Sequence, residues 1–215
     1  MGIQERRSRE KEELRDKILA AARELFAADG YEAVTMRRIA EAIEYSPTAI
    51  YLHFADKLDV LRACCQEDFG ALAAKFQRIA KIADPVERLA ATGKAYAEFA
   101  FQHPNHYRLM FMTPHPPIAP DSTELERGNP EQDAYAFLKW TVSEAVAAGR
   151  FRSELADLEL LSQVIWSGVH GVVSLRIAKC NDPWVEWRAE RKSVETMIDV
   201  LLHGLLAPAR SGKKR

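Results

Sequence analysis

Two helix starts only eleven positions apart constrain this chain more than any other feature. Thr35 stands before the apolar positions Met36, Ile39, Ala40 and Ile43, and Ser46-Pro47 stands before Ile50 and Phe54. A hydroxyl at the cap accepts a hydrogen bond from a free amide of the first turn, and proline fits the first helical position because its missing N–H would be unpaired there anyway. Each helix is therefore sharply opened and too short to hold alone in water. The pair needs a longer neighbour. The preceding helix supplies one, with Leu14, Ile18, Ala21, Ala22, Leu25 and Phe26 on one face and a stop at Gly30, a glycine suited to a left-handed cap. Three helices, of which the last two are short and joined by a tight turn, form the arrangement that sets a recognition helix into a DNA major groove.

Helical spacing continues through the rest of the 215 residues, and no window of five or more alternates in a strand pattern between turn signals. An all-α chain of about nine helices is expected. The fourth runs from near Asp56 past Phe76, long enough to link two bodies. Asp84-Pro85-Val86-Glu87 reads as a capping box opening a fifth helix, and a short sixth follows from Pro104. His115-Pro116-Pro117 through Gly128 has the content of a loop. Asn129-Pro130 repeats the cap logic for a seventh helix reaching Gly149, an eighth spans about Ala156 to Lys179, and a ninth begins at Asp182-Pro183 and ends before Pro208. The expected division is an N-terminal three-helix helix-turn-helix domain over residues 10–58, with its motif at about 35–54, and a C-terminal helical domain over 59–208. The termini, 1–9 and 209–215, are expected to be flexible. No fixed-period repeat is present, which argues against a solenoid.

Composition narrows the class. Hydrophobic residues at 47% and charged residues at 28% belong to a globular chain. The charged N-terminus lacks the apolar core of a secretory signal, and the charge-free stretch Val164 to Leu175 falls short of the roughly 18 apolar residues that span a bilayer. A cytoplasmic chain without membrane contact is expected. Cys64, Cys65 and Cys180 are odd in number and lack metal-site spacing, and the adjacent pair points to different sides of its helix, so buried or idle thiols are expected. Prolines interrupt the face that would align His103, His106 and His115, so no metal is expected. Without a Gly-rich phosphate loop, a nucleophile elbow or an HExxH run, no catalytic residue, cofactor or enzymatic activity is expected either.

The stretch ILAAARELFAADGYEAVTMRRIAEAIEYSPTAIYLHFADKLDVL, residues 18–61, resembles the DNA-binding domain of the TetR (tetracycline-repressor-like) family of bacterial transcriptional regulators. The positions that carry the resemblance are Ala22, Leu25, Phe26, Gly30, Tyr31, Thr35, Ile39, Ala40, Ser46, Tyr51, His53, Phe54, Lys57 and Leu61. It implies that Thr48, Tyr51, His53 and Lys57 anchor the backbone of a double-stranded DNA operator, while Arg37, Tyr45, Pro47 and Thr48 approach base edges. The amides and hydroxyls at Thr35 and Ser46 suit phosphate oxygens on physical grounds as well. Charge does not announce this use, since ten basic residues face twelve acidic ones in residues 1–60. Arg6, Arg7 and Arg9 form either an arm for an adjacent groove or a solubilising leader. Two positions depart from the family pattern. Glu44 stands where glycine is usual, and a left-handed conformation there costs roughly 1–2 kcal/mol. Thr48 replaces a second common glycine and adds a hydroxyl near the expected phosphate.

Farther on, WSGVHGVVSL resembles family members with a Trp-His-Gly signature, here Trp166, His170 and Gly171. Trp166 and His170 share a helical face, so they either border a ligand pocket or pack as a core tryptophan with a hydrogen-bonded histidine. Tyr96, Phe99, His103, Tyr107, Met110, Phe111, Tyr135 and Trp140 are further candidates to line an apolar pocket for a small-molecule effector. Ser167, Gly171, Ser174 and Ala178 form a stripe that admits another helix, and Val194, Met197, Leu201 and Leu205 form an apolar stripe on the last helix. The resemblance implies a homodimer in which the final two helices pair with their copies as a four-helix bundle. The expected function is a homodimeric repressor, released from a palindromic operator when a small molecule fills the C-terminal domain. The alternative is a DNA-binding or interaction protein whose C-terminal domain only dimerises or recruits a partner.

Overall fold

A computed structural model describes residues 2–118 and 125–208. Its helices are α1 (Ile3–Asp29), α2 (Met36–Ala42), α3 (Pro47–Tyr51), α4 (Lys57–Gln77), α5 (Pro85–Gln102), α6 (Pro104–Phe111), α7 (Ala134–Ala147), α8 (Leu158–Lys179) and α9 (Glu190–Leu205). Among the described residues the only β pairing is an isolated antiparallel bridge between Phe151 and Leu206. The tail expected to be flexible at 209–215 and residues 119–124 of the expected loop lie outside the described residues.

The chain forms two compact units, Met1–Gly70 with His103–Leu125, and Ala71–Gln102 with Glu126–Arg215. The expected boundary after residue 58 falls inside the first of these units. Helix α4 begins in the first unit and ends in the second, and α6 belongs to the first because Leu109 is fully buried in its core.

The first core joins Ile18, Leu19, Ala22 and Phe26 of α1 to Ile39 and Ala40 of α2, Ile50 of α3, Phe54, and Val60, Leu61, Cys64 and Cys65 of α4. The spacing of apolar positions in the sequence thus marks the buried faces correctly. Both adjacent cysteines are buried, which holds the Cys65 thiol up at about 12 and pushes Cys64 up as well. Neither is a nucleophile at neutral pH. Polar groups also cross this core. Arg23 of α1 donates from Nε to both carboxylate oxygens of Asp68 on α4 at 2.9 and 3.2 Å, and His106 of α6 meets the same carboxylate at 2.9 Å. Asp68, 2% exposed, is therefore compensated from two helices. The N-terminal leader is helical from Ile3 rather than flexible, braced by the one-turn ion pairs Arg6–Glu10 and Arg9–Glu13.

The second core packs Val86 and Leu89 of α5, Leu138, Val142 and Ala145 of α7, Leu161 and Ile165 of α8, and Leu205 of α9 around Phe151. Arg88 is buried here and clamps α5 to α7. Its guanidinium lies 4.0 Å from the Trp140 ring centre, pairs with Glu144, and donates to Thr141 Oγ1 at 3.3 Å. Asp84 opens α5 as expected, its Oδ1 accepting from the amides of Val86 and Glu87.

Two helix starts differ from the sequence expectation. Asn129 caps a turn rather than a helix, its Oδ1 accepting from Glu131 N, and α7 opens four residues later where Asp133 Oδ1 accepts from Tyr135 N and Ala136 N. Asp182 likewise accepts from Trp184 N in a turn, and α9 starts only at Glu190. In both places an Asx side chain before proline satisfies a local turn, which competes with helix initiation. By length and apolar composition α8 is long enough to cross a bilayer, more than the charge-free stretch suggested. In the second unit Leu161, Ile165, Val169, Val173 and Ile177 give it a buried face.

Candidate nucleic-acid interface

The site is built by the turn between α2 and α3. Thr35 Oγ1 accepts from Arg38 N at 3.2 Å and Ser46 Oγ accepts from Ala49 N at 3.3 Å, so both expected caps form. Between them, Tyr45 N donates to Ala40 O at 3.0 Å and Glu44 N donates to Glu41 O at 3.2 Å. These two bonds define a Schellman closure, whose central residue must take positive φ. That residue is Glu44, with φ +61°, the one non-glycine residue of this kind among the described residues. The turn is built as the glycine pattern demands, without the glycine. Gly30, closing α1, also has positive φ (+81°), but its ψ of 156° puts it outside the left-handed helical well expected of it.

Burial then sorts the side chains. Met36, Ile39, Ala40 and Ile50 face the core, while Thr35, Arg37, Tyr45, Ser46, Pro47, Thr48 and Tyr51 are all exposed. The polar and aromatic candidates thus lie together on the uncovered side of α2 and α3. Leu52, 75% exposed beside Tyr51, joins them, and its position off the Ile50–Phe54 stripe was the only signal for it in the sequence.

Two expected phosphate anchors have other commitments. Lys57 Nζ donates to the carbonyls of Tyr31 at 2.8 Å and Glu32 at 3.4 Å and sits 4.1 Å from the Tyr31 ring centre, so it latches the turn after α1. His53 is half-buried, and burial first, then Lys11 and Arg15, pushes its pKa down. It is a neutral imidazole near pH 7 and offers a phosphate no charge. Arg38 pairs with Asp29 at 2.7 Å. Arg37 pairs through Nε with Glu41 one turn on, at 2.7 Å.

The pocket candidates divide between the units. His103, Tyr107, Met110 and Phe111 belong to the first, with Tyr107 fully buried, while Tyr96, Phe99, Tyr135, Trp140, Trp166 and His170 belong to the second. Within the second, Trp166 Nε1 donates to Tyr96 Oη at 3.0 Å, and Tyr96 Oη meets His170 Nδ1 at 3.0 Å. The tyrosine oxygen thus accepts from the tryptophan and shares a hydrogen bond with the imidazole. Burial pushes the His170 pKa down and so favours the neutral imidazole. Tyr135 packs on Trp166 with ring centres 5.9 Å apart and donates to Glu159 at 2.6 Å. Trp140 instead faces Arg88.

The stripes on α8 and α9 separate differently. Ser167 and Ala178 are exposed, Gly171 and Ser174 half-buried, and Leu160, Val164 and Leu175 extend this face as exposed apolar residues. On α9, Val194 and Leu205 are buried within the chain itself, and Leu201 packs on Gly168, where an added Cβ would lie 2.9 Å from a Leu201 methyl. The apolar stripe of the last helix is thus mainly internal core. Met197, half-buried, and Val200, 62% exposed, remain on its open side.

Residues 18–64 match the family described as bacterial regulatory proteins, tetR family, and residues 89–201, more than half of the chain, match the tetracyclin repressor-like C-terminal domain. The chain belongs to the TetR family. Curated TetR-type relatives include the HTH-type transcriptional repressor AcnR of Corynebacterium diphtheriae, 42% identical over 59 residues covering 27% of this chain and 31% of that protein. The HTH-type transcriptional activator FasR of Mycolicibacterium smegmatis is 32% identical over 102 residues, 47% of each chain. The chain thus spans from about a third to about half the length of these curated relatives. Among solved structures, the TetR family transcriptional regulator PfmR of Thermus thermophilus has the same fold, with a TM-score of 0.70, 23% identity and coverage of 90% of this chain and 98% of that one. A Rhodococcus protein described as of unknown function matches at TM-score 0.69 and 25% identity, over 90% and 96% of the two chains. Arg88 and Asp68, which tie helices together in the two units, carry no local signal in the sequence, because their partners are distant in the chain and no spacing marks them.

Proposed function

We propose that this TetR protein is a homodimeric transcriptional regulator that reads a palindromic double-stranded DNA operator with two copies of the α2–α3 face. One observation carries the reading. Two capped short helices meet at a Schellman turn and leave Arg37, Tyr45, Ser46, Pro47, Thr48 and Tyr51 together and uncovered. Helix N-termini and hydroxyls suit phosphates, and an arginine with exposed aromatic neighbours suits base edges. Such work belongs to the cytoplasm. The similar proteins include one named as a repressor and one named as an activator. Repression is the sign we favour, because a protein seated on an operator blocks access by occupancy alone.

The second unit is proposed to dimerise through the open face of α8 with Met197 and Val200 of α9, and to receive a small-molecule effector. Helix α4, which has residues in both units, is the candidate coupling element. A ligand releases the operator only if it binds the DNA-incompetent arrangement more tightly. A second reading, that this unit only dimerises, is favoured by the way Trp166, Tyr96 and His170 bond to one another.

The test is selection of bound sequences from a random double-stranded pool by the purified protein, followed by affinity against salt. An enriched inverted repeat with steep salt dependence supports operator reading; weak, sequence-blind binding overturns it. Compounds that raise the melting temperature of the protein and lower its operator affinity support release. Operator affinity that no bound compound changes leaves dimerisation as the unit's work.

A further inference from the structure

Residues 30–60 hold three basic side chains, Arg37, Arg38 and Lys57. Arg38 is tied through Nη2 to Asp29, and Lys57 is latched to the carbonyls after α1. Arg37 differs from both. It is held only through Nε, at 2.7 Å from Glu41 Oε1, its side chain is 80% exposed, and its terminal nitrogens meet no partner among the described residues. A guanidinium is a rigid planar fork, so fixing Nε fixes where the terminal N–H groups point. That terminal fork matches the O6 and N7 acceptors of guanine in a major groove.

We propose that Glu41 is a positioning residue for base recognition, which holds Arg37 by Nε so that its fork is offered to a guanine in each half-site. The inference rests on the DNA reading proposed above. An exposed one-turn ion pair does little for folding stability. Its effect here is on the long side chain's freedom, which is reduced before the groove is entered. The carboxylate also repels phosphate oxygens and so turns Arg37 away from the backbone and towards the bases. The spacing of four residues with both side chains on the uncovered side of α2 makes the pair an outward-facing unit rather than a brace against the core.

The test repeats the random-pool selection with the full-length protein, Arg37→Ala, Glu41→Gln and Glu41→Ala. The wild type is expected to enrich an inverted repeat with one guanine per half-site preferred about tenfold or more. Arg37→Ala loses that preference. Glu41→Gln keeps an acceptor for Nε and keeps the preference, whereas Glu41→Ala lowers it to about threefold or less at that base alone. Both Glu41 variants bind all DNA somewhat more tightly, because a negative charge has left the face. A preference that survives in Glu41→Ala or in Arg37→Ala, or is lost equally in Glu41→Gln and Glu41→Ala, overturns the positioning role. A wild-type pool without an inverted repeat overturns DNA reading and this inference with it, so the wild-type arm tells the two failures apart.

Discussion

Helices α2–α3 in the first unit and α8 in the second each leave one side uncovered, and the two sides have opposite chemistry. The first shows Arg37, Glu41, Tyr45, Ser46, Thr48 and Tyr51. The second shows Leu160, Val164, Ser167, Gly171, Ser174 and Ala178, at alternating spacings of four and three. Hydroxyls, a guanidinium and free helix amides keep good partners in water and gain better ones on a polyanion. A stripe of small and branched apolar groups gains only from a surface that excludes water, and its small members let a second helix approach closely. The chemistry of the first face suits a partner exchanged by salt, and that of the second suits a partner that excludes water.

The largest effect should come from testing the second face. An added Cβ at Gly171 meets nothing within 4 Å in this chain, whereas one at Gly168 meets Leu201 at 2.9 Å. If the α8 face is open in solution, Gly171→Leu improves helix propensity and stabilises the chain by about 1 kcal/mol. If a second copy covers it, the same change drives dimer to monomer in sedimentation and weakens operator binding about a hundredfold, since the half-sites are then bound independently. We expect the second outcome, with the helical circular dichroism retained.

On the polar face, the arrangement of Lys57 predicts a folding effect where the family resemblance predicts a binding one. Lys57→Ala removes a charge-assisted bond at 2.8 Å and a cation–π contact, and should lower stability by about 2 kcal/mol, read from urea unfolding. A stability left unchanged, with a salt slope flatter by about one, would restore the phosphate role. Glu44→Gly should act in the opposite direction and less strongly. It relieves a residue held at φ +61° and raises stability by about 1 kcal/mol, or about 2–4 °C in Tm. A fall would mean that the Schellman turn gains more from the Glu44 side chain than it loses to strain.

The sequence carried most of the fold because the fold rests on local devices. Thr35, Ser46-Pro47 and Asp84-Pro85 opened helices where their chemistry says they should, and Glu44 was recognisable as a misfit in a glycine position. Asn129-Pro130 and Asp182-Pro183 carried the same chemistry and made turns, because an Asx side chain before proline serves either use and only the following residues decide. Long-range polar contacts were not legible. Nothing near Arg23 or Arg88 announces Asp68 or Trp140, which lie 45 and 52 positions away. The exposed residues of α2 and α3 were readable in outline, as the positions left over when the core stripe is removed. The state of the expected phosphate anchors was not, since Lys57 is bonded to the carbonyls after α1 and burial pushes the pKa of His53 down. The last helix failed in the same way, its apolar stripe being core where Val194 and Leu205 are concerned.

The smallest expected effect separates frame from pocket within the second unit. Burial lowers the pKa of His170 in the folded chain below the roughly 6.5 of an unfolded histidine. Between those two values the unfolded chain binds more protons, so stability falls as pH drops below about 6.5 and levels off once pH is under the folded pKa. His53, also lowered, contributes with the same sign from the first unit. His170→Gln offers Tyr96 a neutral hydrogen-bonding partner that does not titrate, so the urea midpoint should change less between pH 7 and pH 5.5 than in the wild type while Trp166 stays in place. A slope that does not change would mean that the imidazole is not buried in solution as it is here. His170 would then be available to an effector, and the bonded triad at 3.0 Å would describe only one of its states.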